Sequence, residues 1–125
     1  MPRAYFWLRD QPAVKALVEL PIYGDARESE YLYAATVHWK PIANGYSSYE
    51  PESYLRLVNL IPRLPHADGF DLLRDMGITH IVLHTDKTID WRIVQRWERR
   101  FGPGPRQRME KVYEEAGISV YRLVR

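Results

Sequence analysis

The stretch Gly77-Ile78-Thr79-His80-Ile81-Val82-Leu83-His84 constrains the fold more than any other part of this 125-residue chain. It is a β-branched apolar run entered through glycine, and an amphipathic segment with Phe70, Leu73 and Met76 at helical spacing precedes it. Helix, glycine, then a buried strand is how a crossover re-enters a parallel sheet. The pattern predicts a helix over 67–76 and a strand over 78–84. Val14-Lys15-Ala16-Leu17-Val18-Glu19-Leu20 is a second short apolar run, closed by Pro21, and reads as a buried strand. A long helical crossover separates the two strands, so they are expected to lie parallel with a right-handed connection.

The remaining punctuation fills in the order. Residues 3–10 form a short helix that Pro12 forbids from continuing. Asp25-Ala26-Arg27-Glu28 has the form of a capping box and opens a helix over about 26–38. Pro41 to Glu50 is a loop, and Pro51 begins a helix reaching about Ile61. Thr88 caps a helix over 89–101 whose inner stripe is Ile93, Val94, Trp97 and Phe101. The tail is a hairpin, with strands over 109–114 and 118–124 around Glu115-Ala116-Gly117. The expected architecture is one α/β domain over residues 1–125. It is a small three-layer, Rossmann-like arrangement whose mixed sheet has parallel core strands and a C-terminal antiparallel hairpin.

Composition excludes several functions. Apolar residues make up 46% and charged residues 27%, an ordinary globular balance. No cysteine is present, which removes disulfides, thiolate metal sites and a Cys nucleophile. No apolar run approaches the ~18 residues that a membrane span needs. A net charge of +2 is too small to argue for a polyanionic partner, and nucleic acid is not expected. GxGxxG, Walker A, GxSxG, HExxH and EF-hand patterns are all absent, and no cofactor, metal or catalytic residue is assigned.

Parallel strands direct ligands to their carboxyl ends. That rim gathers Glu19, Tyr23, His84 and Asp86. Glu19 is a carboxylate inside an apolar strand. It reads either as a ligand-binding or general-base group, or as a structural acid paired with a lysine, histidine or tyrosine. His80 and His84 share a strand face about 13 Å apart and cannot chelate one metal. His80 reads as an interior histidine and His84 as the one placed for function. His38-Trp39-Lys40-Pro41 and Asn44-Gly45-Tyr46-Ser47 combine polar and aromatic groups. Trp39, Tyr46 and Tyr49 offer faces for a sugar, and Lys40 and Asn44 offer hydrogen bonds to hydroxyls or phosphate. The same residues also suit a packed helix-ending loop. Arg92, Arg96, Arg99 and Arg100 fall on one helical face, which suits an anionic surface or a plain solvated face.

These residues carry a resemblance. Leu17-Val18-Glu19-Leu20-Pro21, Tyr31-Leu32-Tyr33 and the run from His38 to Ser47 resemble the soluble C-terminal domain of bacterial multi-pass membrane proteins similar to the GT-C superfamily of glycosyltransferases. Pro51-Glu52-Ser53-Tyr54, Leu72 to His84, Val112-Tyr113-Glu114 and Val120-Tyr121-Arg122 extend the likeness over nearly the whole chain. The resemblance implies a non-catalytic accessory domain at the extracytoplasmic face of the membrane. It would help shape a site for a glycan or polyprenyl-phosphate-linked sugar, and its partners would be its parent's membrane portion, lipid headgroups or glycan. Catalysis in that family belongs to a loop near the membrane helices, so no catalytic position carries over. A free-standing chain of this sequence would instead be cytoplasmic. It would be a small α/β enzyme using Glu19, His84 and Asp86, or a binder of anionic surfaces.

Overall fold

A computed structural model describes residues 2–20, 33–34, 37–40, 67–85, 91–105 and 107–124. The loop expected over 41–50 and the helix expected over 51–61 lie outside these, as do the capping box at 25–28 and Thr88. Helices α1 (Arg3–Arg9), α2 (Ala67–Asp75) and α3 (Trp91–Phe101) accompany strands β1 (Leu17–Leu20), β2 (His80–His84), β3 (Met109–Glu115) and β4 (Ile118–Leu123). Tyr33, Ala34, Val37 and His38 are also helical, within the helix expected over 26–38.

The protein is a mixed α/β structure around a four-stranded sheet of order β1-β2-β4-β3. β1 and β2 run parallel, with Leu17 opposite His80 and Leu20 opposite Leu83. β4 lies antiparallel to both β2 and β3. Both regular strands are shorter at their starts than the apolar runs suggest, because Thr79 takes over there. Its hydroxyl donates to the Ala16 carbonyl at 3.0 Å and accepts the Lys15 N–H at 3.0 Å. A side chain thereby joins the two strand entries before the ladder begins.

Strand alternation divides the core. Val18, Leu20, Ile81, Leu83 and Tyr121 pack with Phe70 and Leu73 of α2 and with Val94, Trp97 and Phe101 of α3. Leu17, Val82, Ile118 and Val120 pack with Ala4, Tyr5 and Leu8 of α1 and with Ala34. Glu19 follows Leu17 by two residues, and His84 follows Val82 by two. Both therefore fall on the α1 side of the sheet.

Each helix is stopped by identifiable chemistry. Gly77, at φ +84°, lets α2 close in a Schellman motif. Ile78 N–H reaches the Leu73 carbonyl at 3.0 Å and Gly77 N–H reaches that of Arg74 at 2.9 Å. The paired apolar contact of that motif, Leu73 with Ile78, is buried in the core. α3 ends at Gly102, whose N–H donates to the Glu98 carbonyl at 2.9 Å. At the start of α1, the free N–H of Ala4 finds the Glu115 carboxylate of β3.

Candidate functional site

The parallel pairing brings Glu19 and His84 together. His84 Nε2 lies 2.9 Å from Glu19 Oε1, and the Tyr5 hydroxyl donates to the same oxygen at 2.6 Å. Tyr5 Oη and His84 Nε2 are themselves 3.5 Å apart. The cluster is closed: Glu19 is 0% exposed and His84 4%. Charge-assisted bonds of this kind are the condition for keeping a carboxylate in an apolar strand. A lysine, histidine or tyrosine partner was one of the readings open for Glu19 in the sequence, and the structure supplies a histidine and a tyrosine. The choice of Tyr5 was not legible, although its place beside Ala4 and Leu8 on the inner stripe of α1 was the available signal. Tyr23 and Asp86, expected on the same rim, lie outside the described residues.

The next group of candidates is built around one turn. His38 is buried, and its ring lies 5.9 Å from that of Tyr5. Burial, with the neighbouring Lys40 charge, lowers its pKa to about 4, so the ring is neutral near pH 7. Its Nδ1 accepts the Lys40 N–H at 2.9 Å. The Lys40 ammonium in turn donates to the Gln11 carbonyl at 2.9 Å. Trp39, between these two anchored residues, adopts φ +57° and is 78% exposed. A left-handed backbone is unfavourable for a bulky L-residue and persists only where its surroundings impose it.

Lys40 is placed apart from the Glu19–His84 pair. Gln11 belongs to the connection that leads into the start of β1, and the Lys40 charge is felt at His80, the first residue of β2. Lys40 therefore reaches the entry end of the parallel strands, whereas Glu19 and His84 sit toward their exit. Asn44, Tyr46 and Tyr49 lie outside the described residues.

No family model matches the chain, and no curated protein or solved structure matches it either. His80 is an interior histidine, buried, with Nδ1 2.8 Å from the Thr79 hydroxyl. Its pKa is lowered to about 4 by burial and by the charges of Arg122 and Lys40. Arg92, Arg96, Arg99 and Arg100 are exposed along α3, opposite the buried Val94, Trp97 and Phe101. The acid within that run, Glu98, is engaged elsewhere. It accepts the Tyr121 hydroxyl at 2.5 Å and lies 3.1 Å from the Lys111 ammonium. Although its partial burial alone would raise its pKa, these donors hold the Glu98 carboxyl below its ordinary value. Among the described residues no three His, Asp or Glu side chains gather to hold a metal ion, and no helix is long and apolar enough to cross a membrane.

Proposed function

We propose that this chain is a non-catalytic accessory domain of a membrane glycosyltransferase-like protein. It binds a glycan or polyprenyl-phosphate-linked sugar by stacking it on Trp39. The observation that carries the reading is the fixed exposure of that indole. Buried His38 and tethered Lys40 hold the backbone on either side, so the indole is carried at the surface from an anchored position. A broad apolar ring with a polar edge is what the apolar face of a sugar stacks against. In this reading the sheet is the centre of a three-layer Rossmann-like domain, which the packing of α1 on one side and of α2 and α3 on the other supports. The arginine face of α3 lies toward anionic lipid headgroups or the parent's membrane portion.

The test is a titration of the full chain, followed by NMR, with a panel of saccharides and a polyprenyl-phosphate sugar. The Trp39 indole N–H is expected to shift saturably, and Trp39→Ala to abolish the response while the far-ultraviolet circular dichroism is retained. A Trp39 resonance indifferent to every member of the panel would refute the binding role.

A second reading has one observation in its favour, the hydrogen-bonded Glu19–His84 pair at 2.9 Å. It makes the chain a small acid–base enzyme using Glu19, His84 and Asp86. Solvent closure of the pair argues against it, since a general base must reach the proton that it abstracts. Turnover of any substrate that Glu19→Gln abolishes, with the fold intact, would favour this second reading over the first.

A further inference from the structure

The entry end of the parallel strands holds a cavity of about 350 Å³, and three arginines line it: Arg74, Arg108 and Arg122. Neither this cavity nor these residues belong to the Trp39 platform or to the Glu19 cluster. Its volume falls in the range of small-molecule sites, and Phe70, Ile78 and Leu123 give it an apolar wall. None of the described lining residues is acidic. The carboxylates that pair with these arginines stand outside the lining. Asp71 bonds Arg108 and lies 3.6 Å from Arg74, Asp75 lies 3.9 Å from Arg74, and Glu110 lies 3.0 Å from Arg122. Those contacts use only some of the five N–H donors that each guanidinium carries. Arg108 is the most committed of the three. Its guanidinium carbon sits 5.9 Å from the Phe70 ring centroid, and its Nε is buried with no hydrogen-bond partner among the described residues. A buried donor without an acceptor is costly, so the Arg108 Nε marks a local polar demand at the cavity's edge.

We infer that this cavity binds a phosphate monoester carried on a small organic group. A carboxylate is satisfied by one guanidinium fork, whereas three arginines lining one cavity suit the charge and the several oxygens of a phosphate. The apolar wall receives the organic body. The cavity lies beside the buried, uncharged His80, which supplies a further polar edge. The phosphate comes either from a soluble metabolite or from a lipid headgroup.

The experiment titrates the full chain with phenyl phosphate, with benzoate, and with phosphatidylcholine vesicles with and without phosphatidic acid. The arginine Nε–H signals and vesicle co-sedimentation are the readouts. Saturable binding of phenyl phosphate is expected, with the Arg108 Nε–H moving and benzoate much weaker. Arg122→Gln is expected to weaken binding about tenfold or more, the scale of one charged hydrogen bond. Arg108→Gln also removes the Asp71 pairing, so Arg122→Gln is the decisive variant, and Arg9→Gln on α1 is the charge-matched control. Capture by phosphatidic acid vesicles alone, lost in Arg122→Gln, would assign the phosphate to a lipid headgroup. Three results overturn the inference: no saturable binding in either arm, benzoate binding as tightly as phenyl phosphate, or Arg9→Gln weakening binding as much as Arg122→Gln. Trp39→Ala is expected to leave phosphate binding unchanged, so failure here is distinguishable from failure of the sugar platform.

Discussion

Glu19 and His84 are 65 residues apart in the chain and meet at 2.9 Å inside the protein, where the Tyr5 hydroxyl joins them on the same carboxylate oxygen. Glu19→Leu removes the acceptor that both donors use while leaving both donors buried. It is expected to destabilise the chain by about 1–3 kcal/mol for each buried donor left without its acceptor. Glu19→Leu combined with His84→Leu is expected to regain part of that loss. Urea unfolding of the three chains measures both effects. A single variant no worse than a surface substitution would show that the pair contributes little.

Trp39 makes an opposite prediction. Its φ of +57° is a conformation that glycine adopts freely and tryptophan does not. Trp39→Gly is therefore expected to hold or raise stability, by as much as roughly 1 kcal/mol, because the exposed ring contributes little packing. On the proposed sugar-binding role, the same change is expected to abolish the saccharide response. Thermal melts and the sugar titration, run on one preparation, test both halves. A clear loss of stability would mean that the indole packs as part of the structure.

Two glycines separate steric from conformational requirements. A Cβ on Gly102 would stand 2.2 Å from the Glu98 carbonyl oxygen, whereas one on Gly77 would meet nothing within 4 Å. Gly77→Ala has only its φ of +84° to overcome, a penalty of roughly 1–2 kcal/mol. Gly102→Ala must displace the last turn of α3 and is expected to cost more, about 2–3 kcal/mol. Equal losses in chemical denaturation would contradict the contact at Gly102.

His38 and His80 set the acid response. Each binds a proton less readily in the folded chain, near pH 4, than at the ordinary 6.5. Between those values the unfolded chain holds more protons, so stability rises with pH through that window and is lost as pH falls through it. Below the window, protonation of Asp71, which its hydrogen bond from Arg108 holds below the ordinary carboxylate value, continues the loss. Melting temperatures measured from pH 7.5 to 4 are expected to be level at first and then fall by several degrees. His38→Asn keeps an acceptor for the Lys40 N–H and is expected to flatten part of the fall. An unchanged profile in that variant would shift the effect to His80.

The backbone plan was legible because local patterns agreed with it. Gly77 and the Ile78–His84 run announced a helix end and a strand, and the parallel pairing of β1 with β2 followed from the long crossover. The tail hairpin was equally plain from Gly117 and the alternating apolar residues beside it. What was not legible depends on side chains that meet only in three dimensions. Tyr5 was read as a helix residue, and nothing local ties it to Glu19. Thr79 gave no sign that its hydroxyl would join two strands. Lys40 was grouped with its sequence neighbours, and nothing local announced that its ammonium would meet the Gln11 carbonyl. The arginine cavity draws on α2, the residue preceding β3, and β4, so no sequence window contains it.

The flank formed by β3 has a bearing on how copies of this chain behave when crowded. Its register slips between Lys111 and Tyr113, and its outward positions include Glu110, Lys111 and Glu114. An interrupted ladder dressed in charge is a poor template for a foreign strand. Concentrated solutions should accordingly resist the edge-to-edge stacking that leads to fibrils along this side.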